Sequence, residues 1–554
     1  LIAILATLLL ASSASAASSD LDPTFGSGGI AKNALGFGSD SASGVVVQPD
    51  GKVVVVGASQ TDDFLDDQFV FSRYLDNGSL DPTFGIGGQA FVEYSSDELQ
   101  PLDIALQPDG KILATGYRES GGDYDMVVVR INSNGTLDAG FRGGGKFAFD
   151  ASDASDDDGK AIALSPDGTF YVVGQGQVDT NDDFMIYKFK ADGNDDTSFS
   201  GNGNLFKDFG VDDDGAYAAD VQPDGKLVVA GFATGVSNRE MAVARFLTNG
   251  NPDLTFAGTG SETFGIGSMD DDTKDLAIAP DGKIVLAGAS DTGSGQAFTA
   301  ARLTSGGVLD STFGGDGKAS FKVGTSDGPR RMVLRRDGKI LISGVINTSG
   351  PGHAGFVQFG ADGAADLSFG AGGYVSTVVG ANSGFAGAAE APDGKIAAAG
   401  YSEGDTLVAR YIGEYLPPVV VPNVALKTKF SSKLKSKMKA KNLKSISGTA
   451  VGTGLAKVQV AIGLADKKLL KDKKQCLFVK NNKGQTKKYK AKKKKCAPAK
   501  WLTANGTTSW SYKLKRKLKP GKYTIYVRAL DTGGATQTTF TKSRGNLKTV
   551  TVTK

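Results

Sequence analysis

Between residues 20 and 412 the apolar positions fall in short runs cut by Gly, Pro, Asn and Asp, the period of strands with the punctuation of tight turns. The stretch LDIALQPDGKILATG (102–116) shows the unit: an alternating apolar run, a turn and a second run. Asp-Gly between two apolar runs is a strong hairpin signal, and it predicts a type I′ turn with positive φ at both central residues. The proline before it ends the incoming strand without removing a needed ladder donor. The same turn returns as Asp50-Gly51, Asp109-Gly110, Asp167-Gly168, Asp224-Gly225, Asp281-Gly282, Asp337-Gly338 and Asp393-Gly394, about every 57 residues. Proline precedes all but the sixth, where Arg336 stands, and lysine follows all but the third, where Thr169 stands.

Two further signatures run in phase. LDPTFGSGG (21–29) and LDPTFGIGG (80–88) are nearly identical, with weaker copies around Phe141, Phe199, Phe256, Phe313 and Phe369. An apolar run ending in a basic and a large apolar residue appears as FVFSRY (69–74), MAVARF (241–246), FTAARL (298–303) and LVARY (407–411). Each unit therefore reads as four strands, in the second unit 87–94, 102–107, 111–116 and 125–131. A lone four-stranded sheet leaves its apolar faces wet, whereas sheets arranged radially bury them against each other. An open solenoid would need capping ends that the sequence does not show. The predicted fold is all-β: a seven-bladed β-propeller of four-stranded antiparallel blades over 21–412, a proline-rich linker over 413–425, and a β-sandwich over 426–554. If the Gly-Gly strand is the outer edge of each blade, the first such strand must complete the last blade and latch the ring.

The LDPTFGxGG, QPDGK and ARY elements together resemble the bacterial delta-60 repeat family, a predicted seven-bladed propeller family of secreted and surface proteins. The resemblance covers about residues 21–412 and implies architecture and location but no substrate. In the tail, SISGTAVGTGLAKVQVAIG (445–463), TTSWSYKLKRKL (507–518) and GKYTIYVRALDTGGATQ (521–537) resemble bacterial immunoglobulin-like modules of secreted proteins.

Composition sharpens this in three places. Residues 1–16 combine an apolar stretch with the small-x-small pattern Ala14-Ser15-Ala16, which reads as a secretory signal peptide. In a secreted chain the two cysteines, Cys476 and Cys496, are expected to form a disulfide around a lysine-rich insert; the competing reading is two buried thiols. The net charge of +2 conceals a division: residues 1–412 hold 27 Lys and Arg against 56 Asp and Glu, and residues 413–554 hold 35 against 4.

In the body, the recurring Asp and Lys of PDGK read as turn chemistry, the Phe of LDPTFG as an anchor between blades, and the Arg of ARY as a strand-end charge paired with a repeat Asp. The PDGK and LDPTFG turns lie on one face. The acidic loops, within 61–69, 150–160, 178–184, 211–215 and 269–272, lie on the other and focus negative potential at one mouth of the channel. They are either solvated surface or Ca²⁺ ligands, with Asp156, Asp157, Asp158, Asp212, Asp213, Asp214, Asp270, Asp271 and Asp272 as the candidates. The sixth unit breaks the repeat with GPRRMVLRRDGK (328–339), and such a departure is where a site is expected.

No defined activity is legible. The chain has one histidine, His353, in a loop-like setting, and no Walker motif or dinucleotide fingerprint, which argues against an enzyme. The alternative is a calcium-dependent propeller lyase or hydrolase. In the tail, Lys487, Lys488, Lys490, Lys492, Lys493, Lys494 and Lys495 suit an anionic wall polymer or extracellular polysaccharide, a docking site for acidic protein, or a solvated face. Sparse aromatic interleaving argues against specific single-stranded nucleic-acid recognition. The expected role is a secreted or cell-surface binding scaffold.

Overall fold

The Asp-Gly turns differ from the expectation in type, for a reason that lies in the length of the loop. In the computed structural model Gly51 has φ +87°, while Asp50 is not among the residues with positive φ. Gln48 N–H donates to Lys52 O at 2.8 Å and Gly51 N–H to Gln48 O at 2.9 Å. Pro49, fixed near φ −65°, sets the first corner of an ordinary type I turn, and the glycine then takes the left-handed position that closes the hairpin. The same turn forms where Arg336 replaces the proline, Gly338 N–H donating to Arg335 O at 2.9 Å with Gly338 at φ +86°, so the three-residue loop and not the proline sets the type.

The structure describes residues 17–413 apart from 34–39, 61–66, 95–97, 121, 150–155, 179–180, 211 and 349; beyond these it describes 427–430, 437–439, 445–451, 455–464, 475–479, 486–490, 502–503, 509–514, 518, 521–531 and 547–553. The signal-peptide reading of 1–16, Lys492, Lys493, Lys494, Lys495 and Cys496 all lie outside the described residues. Cys476 is on the strand Gln475–Val479, and its pairing with Cys496 therefore also lies outside them.

Seven antiparallel four-stranded sheets make up the first part. In blade one, for example, Asp40–Val47, Val53–Gln60, Asp67–Tyr74 and Gln89–Val92 run in order from the channel outwards. Blade seven takes three strands from the end of the repeat and its fourth, Ile30–Asn33, from the beginning: Ile30 pairs with Ala409 and Asn33 with Thr406. This is the latch that the phase of the Gly-Gly strand predicts. The core is divided among the gaps between blades. One apolar cluster, including Val53, Val55 and Tyr74 of blade one with Ala397, Ala399 and Val408 of blade seven, closes the ring. The Phe of each LDPTFG-like element is buried in such a gap, as Phe84 is between blades one and two. Burying a side chain of that size contributes roughly 1.5–3 kcal/mol.

The repeated charges form an ionic clamp under every blade. In blade four, Asp253 receives Arg245 Nε at 2.8 Å and Lys226 Nζ at 2.8 Å, and its other oxygen accepts the Thr255 hydroxyl at 2.7 Å. Arg245 stacks over Phe256 at 4.8 Å and donates across the gap to Ser305 O of blade five. Thus the Arg of ARY, the Lys of PDGK and the Asp of LDPTFG meet at one point on one face. Blade three replaces Arg by Lys188, and blade six by Gln358, which still donates to Asp366 at 2.8 Å.

The clamp fixes an acid limit to stability. All seven of these carboxyls, Asp22, Asp81, Asp138, Asp196, Asp253, Asp310 and Asp366, are held below the usual carboxylate range. Burial pushes them up, but bonds from the residue two further on and the adjacent cations outweigh it; Asp81 and Asp366 come down to about 2. A folded pKa below the unfolded one contributes stability above about pH 4 that is lost as pH falls through the folded value. The melting temperature of the propeller is therefore expected to fall steeply below pH 4, with calorimetric proton uptake on unfolding. A flat profile from pH 4 to 2 would show that the clamps carry no such stability.

The chain divides into two compact units between Pro418 and Val419. The second unit is a β-sandwich: the sheet of Lys427–Phe430, Ser445–Val451 and Ser509–Lys513 shares one apolar core with the larger sheet around Leu455–Leu464 and Gly521–Asp531. Ile446, Val460, Ile462, Tyr512, Ile525 and Val527 are its buried centre. Lys487, Lys488 and Lys490 are on its strand Thr486–Lys490, paired with Gln475–Val479.

Candidate functional site

The inner strand of every blade carries a β-bulge, and the bulges build the channel wall. Register shifts occur between Ala42 and Gly44, Pro101 and Asp103, Gly159 and Ala161, Ala216 and Ala218, Thr273 and Asp275, Pro329 and Arg331, and Phe385 and Gly387. A bulge inserts an extra residue and re-aims side chains. The inserted residues are Ser43, Leu102, Lys160, Tyr217, Lys274, Arg330 and Ala386, and all of them line one axial chamber of about 450 Å³. Lysine, tyrosine, lysine and arginine come from the consecutive blades three to six, whereas blades seven, one and two supply alanine, serine and leucine. One wall is cationic and aromatic, and the other is lined by small or uncharged residues.

Arg331 forms the floor. From blade six it reaches across the axis to donate to Leu102 O at 3.1 Å and Lys160 O at 3.3 Å on blades two and three, and it lies 3.5 Å from the Asp103 carboxylate. Below it is a second cavity of about 230 Å³ that includes Asp103 and Asp275. Burial pushes Asp275 up to about 6 despite the Arg331 charge, and its carboxylate accepts Met332 N–H at 2.7 Å. The two acids stitch neighbouring inner strands together, Asp103 accepting Ile162 N–H at 2.8 Å.

The wall cations are not equivalent. Lys160 is paired with Asp158, and Lys274 with Asp272 at 3.2 Å. Burial, and the charges of Arg330 and Arg239, push the Lys274 ammonium down against the opposing pull of Asp272. Both lysines face the Tyr217 ring, Lys274 at 4.3 Å. Arg330 is exposed to the chamber and has no ion pair among the described residues. Arg330 and Arg331 of the sixth-unit motif thus both line the chamber. Arg335 of the same motif instead serves the opposite face, where it takes up the place left by the missing strand-end Arg and donates to Gln358 Oε1 at 3.2 Å.

The nine aspartates singled out in the sequence do not form one centre. Asp214 and Asp271 are buried caps of inner strands: Asp214 accepts Phe209 N–H at 2.7 Å, and Asp271 accepts Ile266 N–H at 2.6 Å. Asp157 holds the equivalent buried place. Asp156, Asp213 and Asp270 each accept an amide from the hairpin of the preceding blade, from Tyr124, Asp182 and Arg239 at 3.0–3.2 Å. Asp158 and Asp272 hold the wall lysines, and Asp212 is exposed. What the fold does bring together is Asp183, Asp208 and Asp214, one carboxylate oxygen from each within 4.8 Å of the others. His353 is not in a loop but begins the strand His353–Phe359.

A signal for the chamber was present. Ser43, Leu102, Lys160, Tyr217, Lys274, Arg330 and Ala386 each stand seven places before the Asp of an Asp-Gly turn. Reading that column down the repeats picks out the channel wall.

Five segments, 48–84, 107–141, 222–256, 279–313 and 335–369, match a family model described as "Domain of unknown function (DUF5122) beta-propeller". Each runs from a PDGK-like turn to the Phe of the LDPTFG element, so the chain is a β-propeller repeat protein. Blade seven, whose Phe25 comes from the other end of the chain, offers no such continuous segment. No curated protein matches the chain. Among solved structures, Sqt1 of Chaetomium thermophilum bound to the N-terminus of the ribosomal protein L10 is similar at 12% identity and TM-score 0.39, over 69% of this chain and 100% of that one. The β-propeller domain of the Trilobed protease of Pyrococcus furiosus is similar at 10% identity and TM-score 0.35, over 70% and 99%. The gluconolactonase XC5397 of Xanthomonas campestris is similar at 14% identity and TM-score 0.30, over 55% and 91%. Among the described residues no helix is long and apolar enough to cross a membrane.

Proposed function

We propose that the chain is an extracellular, non-catalytic binding scaffold whose axial chamber receives an acidic sugar residue of a polysaccharide. The observation that carries this reading is Arg330, an unpaired guanidinium at the wall of a chamber floored by Arg331, beside Lys274 and the Tyr217 ring. A guanidinium matches a carboxylate in bidentate geometry, and an aromatic face suits the apolar side of a sugar ring. The uncharged wall of Ser43, Leu102 and Ala386 leaves the volume for that ring. The basic β-sandwich adds a second, less specific contact with anionic wall polymer through its lysines, sensitive to salt.

Calorimetric titration with uronate oligosaccharides tests it. Wild type is expected to bind the acidic oligosaccharide and not its neutral counterpart, and R330A to bind about 10- to 50-fold more weakly, the loss of one charge-assisted contact of about 2 kcal/mol. Equal binding by R330A, or no preference for the acidic ligand, would overturn the reading. A second reading, a calcium-dependent lyase or hydrolase, draws on the Asp275 carboxyl near pH 6. Turnover of the same oligosaccharides, abolished in D275N, would favour it.

A further inference from the structure

We propose that the propeller binds one Ca²⁺ ion between blades three and four, held by Asp183, Asp208 and Asp214. The three residues come from different segments: Asp183 from the strand Asn181–Phe189, Asp208 from the loop that follows Asn204–Lys207, and Asp214 from the start of the next inner strand, Asp214–Val221. Their carboxylate oxygens lie within 4.8 Å of one another. Ca²⁺ takes oxygen ligands at about 2.3–2.6 Å, so oxygens up to about 5 Å apart can share one ion, whereas the tighter Mg²⁺ sphere spans only about 4.2 Å.

Asp183 is what separates this group from the other acidic loops. It is 8% exposed, and among the described residues its carboxylate has neither hydrogen bond nor ion pair. Among the described residues, Asp156, Asp158, Asp270, Asp271 and Asp272 of the other loops are engaged by backbone amides or lysines. Lys207 beside the group is turned to the Asp208 carbonyl and the Phe209 ring, 4.0 Å from its centre, and forms no ion pair with any of the three. A buried carboxylate without a partner must carry a proton or find a cation. Burial, then the charges of Asp208 and Asp214, and to a lesser degree Asp182, push Asp183 up to about 6, with Lys207 opposing. In blade four Glu240 and Gly265 stand where blade three has Asp183 and Asp208; blade two has Asp125 and Asp150 in those places, but there Asp125 is paired with Arg118 at 2.8 Å.

The ion would tie the hairpin of blade three to the loop entering blade four. Asp182, next to Asp183, accepts Gln175 Nε2 at 3.2 Å and lies in the field of Asp158 and Lys160 at the chamber. The proposal stands apart from the acidic-sugar reading, because Arg330 takes no part in it.

Calorimetric titration of the full chain with CaCl₂ after chelator treatment tests the proposal. One site is expected, with a higher melting temperature in Ca²⁺ than in chelator. D183N, nearly isosteric at a group with no hydrogen bond, is expected to fold and lose the site, and R330A to keep it. If D183N fails to fold, D208N gives the same readout, since Asp208 is exposed and bonds only the Gly210 amide. Absence of binding heat with equal melting temperatures, or binding unchanged in D183N or D208N, would overturn the proposal.

Discussion

Asp22→Ala is expected to destabilise the propeller by about 3–5 kcal/mol, more than any other single clamp substitution. Asp22 is 4% exposed and receives Arg410 Nε at 2.9 Å and Lys395 Nζ at 3.1 Å. Arg410, 3% exposed, would be left as a buried charge with Asp76 of blade one and the Thr24 hydroxyl as its remaining side-chain partners. The other clamps join residues close in sequence. This one joins residues 388 positions apart, so its loss also frees the strand Ile30–Asn33 from blade seven. The edge of Asp405–Tyr411 would then offer unpaired backbone groups to other molecules. Chemical denaturation and light scattering check this. A loss below 1 kcal/mol without aggregation would mean that backbone pairing alone holds the latch.

Gly288→Ala is expected to cost about 3 kcal/mol, at the upper end for overpacking a core position. Gly288 lies opposite the bulge of blade five, and a Cβ there would fall closer than 3.0 Å to the Asp272 carbonyl oxygen. The collision is with backbone, which cannot turn aside as a side chain can. Gly57, Gly116, Gly174, Gly231, Gly344 and Gly400 stand at the same place in the other blades, each against an inner-strand carbonyl. Their common need is close approach of two strands, the condition under which the inner strand bulges and turns Lys274 into the chamber. G288A should therefore also weaken binding of the acidic oligosaccharide. A melting temperature and an affinity both equal to wild type would show that the bulge survives without the glycine.

The strands, their order in each blade, the blade count and the closure by the first Gly-Gly strand were legible because each rests on local chemistry repeated in phase. An apolar run predicts a strand, Asp-Gly predicts a hairpin, and seven copies predict a ring. The turn type was not legible from the Asp-Gly pair alone, because a three-residue loop takes a type I turn closed by a left-handed glycine, whether Pro49 or Arg336 stands at its first corner. The pairing of a strand-end Arg with a repeat Asp was legible, though not that Lys and Phe join it and that Arg reaches the next blade.

The amino-acid sequence by itself determined the propeller, its latch, its two unlike faces and the break in symmetry at blade six, since these follow from period, turn residues and charge counts. Only the tertiary structure decided what lines the channel. Alternation assigns each residue of a strand to one face or the other, and a bulge shifts that assignment by one, so Lys160, Tyr217, Lys274 and Arg330 turn to the axis by a register change that periodicity does not reveal. The same holds for Asp183, Asp208 and Asp214: runs of aspartate looked alike in the sequence, and blade packing set apart, among the described residues, a group in which the largely buried Asp183 has no partner.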